Sequence, residues 1–220
     1  MKYSSSARWA SAFAVFTAVL ISCGCSINML AIPYYLFVGE QKLPPPKPLV
    51  EGKKDRKKVA VISYVDNALR FSFDSLDSDL ESMVSMEMAK NEKRVDVVQA
   101  KKIRNWRDKN PGWIDASLQS VGEKFDANYV IFIEISEFSL SADRNQFLYQ
   151  GRAKVSVKLH DVSKDSVEYA DSWVREYPPN RPVDMREYTS EDQFRNKFLA
   201  VLAKEVAWHF VPHSPDDRAE

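Results

Sequence analysis

The feature that most constrains this 220-residue chain is the run Tyr129-Val130-Ile131-Phe132-Ile133-Glu134-Ile135, apolar at nearly every position rather than at every second one. Period-two alternation marks a strand with one wet face, whereas a continuous apolar, β-branched run marks a strand covered on both faces. Such a strand needs helices on each side of its sheet, and the preceding sequence supplies them. Val59 to Val65 (VAVISYV) reads as a second buried strand. Ser75 and Asp77 open a helix that carries Leu76, Leu80, Met83, Val84 and Met88 at helical spacing. Asp74, Asp77, Asp79 and Glu81 fall in its first turns, where the helix dipole favours carboxylates, and this is the expected role for them. Arg94 to Val98 reads as another strand, with a helix from Gln99 to Arg107 behind it. Asn110-Pro111-Gly112 stops that helix, and a further helix is expected from Trp113 through Phe125.

After Ile135 the pattern changes. From Phe147 to His160, Tyr149, Gly151, Ala153, Val155, Val157 and Leu159 alternate with polar residues, so this strand has one solvated face, on which His160 is expected. A turn over Asp161 to Ser166 returns the chain as an antiparallel partner, Val167 to Tyr177, with Tyr169 and Trp173 available to the core. Thr189-Ser190 caps a last helix bearing Phe194, Phe198, Leu199, Leu202, Val206 and Phe210. The predicted fold is therefore α/β with an α+β tail: a mixed sheet of about five strands in the order β-α-β-α-α-β-β-β-α, helices packed on the sheet. The predicted domain spans 59–211, with a flexible tail at 212–220.

The amino terminus is of another kind. No charged residue occurs from Trp9 to Val38, and Lys2 and Arg8 precede the stretch, the charge order of a signal peptide or membrane anchor. The apolar core WASAFAVFTAVLI is short for a spanning helix, which needs roughly 20 residues. Leu20-Ile21-Ser22-Cys23 resembles the lipobox of bacterial lipoproteins, in which a leucine and a small residue precede the cysteine that receives diacylglycerol. The resemblance implies a signal peptide at 1–22 and lipid attachment at Cys23; Cys25 fits the pattern less well. It also implies a lipid-anchored protein of the cell envelope. Gly24, in place of an acidic residue, favours the outer membrane facing the periplasm. The alternative is a single uncleaved transmembrane helix that runs on to Pro33. The stretch from Gln41 to Lys58, QKLPPPKPLVEGKKDRKK, reads as a proline- and lysine-rich tether completing 23–58.

The order of elements, with VDVVQAKKIRNW after one strand and VGEKFDANYVIFIEI running from helix into strand, resembles a group of bacterial envelope lipoprotein domains. The group includes the amino-terminal domain of the Tol translocation protein, the penicillin-binding-protein activator lipoproteins and the soluble part of the curli secretion-channel lipoprotein. The chain departs from the last in having no long amphipathic insertion to furnish channel strands.

Chemistry is sparse. Positive and negative residues number 31 each, and setting aside Lys2 and Arg8 leaves a slightly acidic remainder, which argues against nucleic acid as a partner. The six glycines are too scattered for a phosphate loop. His209 and His213 have the spacing of a helical metal pair, with Asp216 and Asp217 beyond, but Pro212 interrupts the helix between them. We therefore expect no catalytic residue, metal or cofactor, and a non-enzymatic adaptor that binds another envelope protein. The alternative is a small-molecule or lipid-binding component of an envelope transport system, marked by a deep apolar pocket at the strand carboxyl ends. Asp66, Asn67, Arg70, Phe71 and Phe73 fall on that rim. Phe71, Phe73, Trp106 and Trp113 are the candidate partner or ligand surface, with loop anchoring and core packing the commoner uses of such aromatics.

Overall fold

The computed structural model describes residues 42–52, 54–142 and 145–215. The lipobox, Cys23 and the candidate acids Asp216 and Asp217 lie outside them. The elements, in chain order, are β1 (Lys57–Val65), α1 (Asn67–Ser72), α2 (Leu76–Asn91), β2 (Val95–Val97), α3 (Ala100–Lys109), a 3-10 turn (Trp113–Asp115), α4 (Leu118–Lys124), β3 (Tyr129–Ala142), β4 (Asn145–Asp161), β5 (Ser166–Tyr177), β6 (Val183–Asp184), a second 3-10 turn (Met185–Glu187) and α5 (Glu191–Trp208). The sheet order is β2-β1-β3-β4-β5, with β6 pairing the start of β4. β1 is parallel to β2 and β3, and β3-β4-β5 form an antiparallel meander. The predicted mixed α/β sheet with packed helices is the observed fold.

Alternation along the strands distributes side chains between two cores. Val59, Val61 and Val65 of β1 join Ile131, Ile133 and Ile135 of β3 and Val155, Val157 and Leu159 of β4 beneath α2 and α5. Ala60, Ile62 and Val130 point the other way and meet Ile103, Trp113 and Val121 from the α3 to α4 side. This second cover is narrower. On the same face, β4 presents exposed Arg152, Lys154 and Lys158 to solvent, which is why its sequence alternates and that of β1 does not. Gly151 is required by packing: a Cβ there would stand 2.5 Å from the Phe198 ring, so only hydrogen lets α5 lie flat on β4.

Several expectations need correction. The helix expected from Trp113 through Phe125 is two pieces, because the Ser117 side chain accepts the Ser120 N–H and starts α4 afresh. β3 continues past Ile135 to Ala142 through a shift in register between Ile135 and Glu137. Half of the expected tether packs onto the domain. Leu43 and His213 exchange backbone hydrogen bonds (2.8 and 3.2 Å), the Lys47 N–H donates to the His209 carbonyl (3.0 Å), and Leu49 and Val50 are buried in the larger core. The packed domain thus begins before residue 59 and runs past residue 211, since His213, expected in the loose tail, is fully buried. His160 is buried rather than solvated: it pairs with Val130 at the covered end of β3, and its Nε2 lies 3.2 Å from Asp165. No helix among the described residues is long and apolar enough to cross a membrane.

Candidate functional site

The carboxyl end of β1 gathers the most charge-rich buried ground in the domain. β2 is short and pairs only with Lys57 to Val59, so β1 has no strand neighbour on that side by the time it reaches Ser63. Two charged side chains take the place of the missing strand. The Ser63 N–H donates to Glu81 Oε1 (2.8 Å), and the Ser63 carbonyl accepts from Arg107 Nη1 (2.9 Å). The Ser63 hydroxyl donates to the Asp77 carbonyl (2.7 Å), tying the start of α2 to the strand. Arg107, on α3, also lies 3.0 Å from Glu81 Oε1 and 3.2 Å from Asp77 Oδ2, and its guanidinium sits 5.7 Å from the centre of the Trp113 ring. Arg70 of α1 reaches the same Asp77 oxygen at 2.9 Å.

The electrostatics are asymmetric. Glu81 is completely buried, and burial pushes its carboxyl up to about 7, the nearby Arg107 and the Ser63 N–H opposing the shift without cancelling it. Its Oε2 makes no hydrogen bond. Asp77 and Glu81 were expected as helix-start residues. Asp77 does lie in the first turn of α2, but both face Arg107, about thirty positions away in sequence. The faint sequence signal was their separation by one helical turn, which puts two carboxylates on one face.

Around this network the four predicted aromatics divide. Trp113 is buried beneath Arg107, 6.4 Å from Tyr64 between ring centres, and Trp106 packs edge-on to Phe125 at 5.6 Å. They belong to the smaller core and form no exposed patch. Phe73 anchors its loop by an edge-on contact with Phe138 at 4.8 Å. Phe71 stands apart, 95% exposed on α1. Asp66 caps that helix by accepting the Leu69 N–H, and Arg70 binds it to Asp77, so a rigid base presents Phe71 to solvent. The Phe73–Phe138 contact places the β3–β4 hairpin, with Phe147 69% exposed on it, at the same end of the sheet. Phe147 had no place in the sequence-based surface, since it read there as the first residue of a strand.

A depression of about 610 Å³ lies elsewhere, between α2 and α5, lined by Asp79, Ser82, Met83, Met86, Asp192, Arg195 and Asn196. It is open, lined by apolar as well as polar side chains, and built from two helices rather than from the strand ends. The histidine pair also separates in role. His209 Nδ1 is hydrogen-bonded to the Tyr169 hydroxyl (2.8 Å), and the His213 ring stacks on Trp208. Among the described residues, no three His, Cys, Asp or Glu side chains come together as a metal site.

No protein-family model matches this chain, and no curated protein does. In form it is similar to several solved structures. Lipoprotein GNA1162 from Neisseria meningitidis is 10% identical at a TM-score of 0.44, covering 68% of this chain and 97% of that one. The PelC dodecamer from Paraburkholderia phytofirmans is 14% identical at 0.42, covering 79% and 98%. Protein XCC0632 from Xanthomonas campestris is 11% identical at 0.44, covering 76% and 92%. A bacterial lipoprotein is thus among the proteins that this chain resembles in structure.

Proposed function

We propose that the chain is a lipid-anchored envelope protein, attached through Cys23 and facing the periplasm at the outer membrane. In this reading its α/β domain is a non-enzymatic adaptor that docks another envelope protein at the carboxyl end of β1. The observation that carries the docking surface is Phe71, held almost wholly in solvent on a helix whose base is pinned by Asp66 and by the Arg70–Asp77 ion pair. A large aromatic on a backbone fixed before binding offers apolar area with no backbone to order and only two side-chain torsions to fix on contact, which suits it to anchor an interface. The ligand-binding alternative asks for an apolar pocket at that same place. Arg107, Asp77 and Glu81 fill the ground there, which favours the adaptor.

A photo-crosslinking residue at position 71 in intact cells should give one discrete adduct, with none from position 154 on the solvated sheet face. Equal adducts from both positions would remove the surface assignment. The anchor is tested separately: fatty-acid label should be lost from a Cys23→Ala protein, and label that persists would overturn it.

A further inference from the structure

The far edge of the sheet is open. β5 is last in the strand order, and among the described residues the backbone from Tyr169 to Tyr177 makes no backbone hydrogen bond except within the sheet. Nine consecutive residues without Lys, Pro or Gly are unusual on an exposed edge, because such an edge invites another strand. The usual guards stand at its two ends. Lys47 and Lys164 both bind Glu168 at the lower end, and Pro178-Pro179 follows Tyr177 at the upper.

The strand is also held in place from behind. Tyr169 hydrogen-bonds His209, the Trp173 Nε1–H donates to Glu205 (3.0 Å), and Arg175 pairs with the same carboxylate (3.1 Å), so α5 fixes alternate side chains of β5. The Ser172 N–H is turned outward and is satisfied only by its neighbour, the Asp171 carboxylate (2.7 Å). That bond is a local substitute for a strand partner.

We propose that β5 pairs antiparallel with β5 of a second copy of this chain, joining two sheets into one about a two-fold axis through Trp173. A two-fold axis normal to the sheet preserves its faces, so within the regular stretch from Tyr169 to Tyr177, beyond the bulge at Glu168, only residues whose numbers share parity can stand opposite one another. A centre at Trp173 is the one that keeps all nine residues from Tyr169 to Tyr177 paired. Centring on Asp171 opposes Asp171 to itself, and centring on Ser172 sets Asp171 against Trp173 and Tyr169 against Arg175, with no ion pair. Centring on Trp173 sets Asp171 against Arg175 twice, Tyr169 against Tyr177 and Ser172 against Val174, with no like charges opposed. Arg175 can reach for this, since its side chain is 28% exposed beside the Glu205 contact, which is made through Nη1. On pairing, the Ser172 N–H passes to the partner's Val174 carbonyl, and Asp171 is released to the partner's Arg175. This inference is independent of the lipid anchor and of the Phe71 surface, which lies elsewhere in the fold.

The test uses the full chain in detergent, in a background with Cys23 and Cys25 replaced by serine. Sedimentation should find a dimer, and Asp171→Arg, which sets like charges against each other twice, should weaken it ~tenfold or more. On oxidation, Ser172→Cys/Val174→Cys should give a disulfide-linked dimer, whereas Ala170→Cys/Val174→Cys, matched to the register centred on Ser172, should not. Circular dichroism of each variant should match the parent, so that lost pairing is read on folded protein. A monomer at every concentration, a dimer indifferent to Asp171→Arg, or linkage by the Ala170/Val174 pair instead would overturn the proposal. Capture of a different polypeptide in cells by the Ser172/Val174 pair would overturn it too, by making the occupant a foreign strand.

Discussion

The two margins of this sheet solve the same problem in opposite ways. On the β2 side the neighbouring strand stops after three residues, and the exposed backbone of Ser63 is closed by Glu81 and Arg107, drawn from two different helices. On the β5 side the backbone runs on uncovered, one of its N–H groups capped only by the adjacent Asp171. An edge closed by buried charge is sealed within the chain. An edge closed by a surface carboxylate can be reopened, because Asp171 is half in water and its other contacts, the Tyr169 hydroxyl at 3.4 Å and His209 at 3.9 Å, are long. The contrast separates a margin that builds the domain from one that is available to another molecule.

The largest effect is expected on the sealed margin. Arg107→Met should leave Asp77 and Glu81 without their buried cation and the Ser63 carbonyl without a donor, lowering stability by about 3–5 kcal/mol in urea denaturation. A loss below 1 kcal/mol would mean that the network is no seal. Next comes its pH dependence. The Glu81 carboxyl titrates near 7 in the fold against 4.5 in its ordinary state, so the folded chain holds an extra proton between those values. This contribution is fully present below pH 4.5 and is lost as pH rises through 7, on the order of 3 kcal/mol in all. Glu81→Gln should flatten that decline, and denaturation curves at pH 5 and pH 8 that stay equally spaced in both proteins would refute the assignment. The smallest effects belong to exposed positions. Val174→Lys on the open margin and Phe71→Ser on α1 should each change the stability of the isolated chain by less than about 0.5 kcal/mol. Val174→Lys should nonetheless abolish edge pairing, and Phe71→Ser should abolish a crosslink made from a photo-reactive residue at exposed Asn67, one helical turn before it. Loss of stability in either would place the residue in the core rather than on a surface.

Local pattern accounts for most of the fold. The strands of the meander, the helix capped by Ser190 and the buried β1 and β3 all follow from period-two or period-3.6 spacing, which depends only on residues close in sequence. The site was legible to a lesser degree. Phe71 was found because it lies just past a parallel strand, but its exposure rather than that of Phe73 is decided by Phe138, sixty-five positions away from Phe73. Trp106 and Trp113 flank a turn and read equally well as patch or core. Trp113 is drawn inward because Arg107 needs a face to lie on. The proline-rich stretch has every local mark of a linker, and only the pairing of Leu43 with His213, from the opposite end of the domain, shows that it is laid down on the fold.

Composition and spacing were thus enough to determine that this is a mixed sheet with helices against it, and to mark an amino-terminal segment of a different kind at Cys23. They could not determine which polar residues would be buried. Whether Asp77 and Glu81 act as surface carboxylates or as the plug of a sheet margin depends on Arg107 arriving from another helix, and whether β5 is inner or outermost depends on the order in which the strands assemble. Burial and edge position are properties of the whole packing, set by groups distant in sequence, and no local period encodes them.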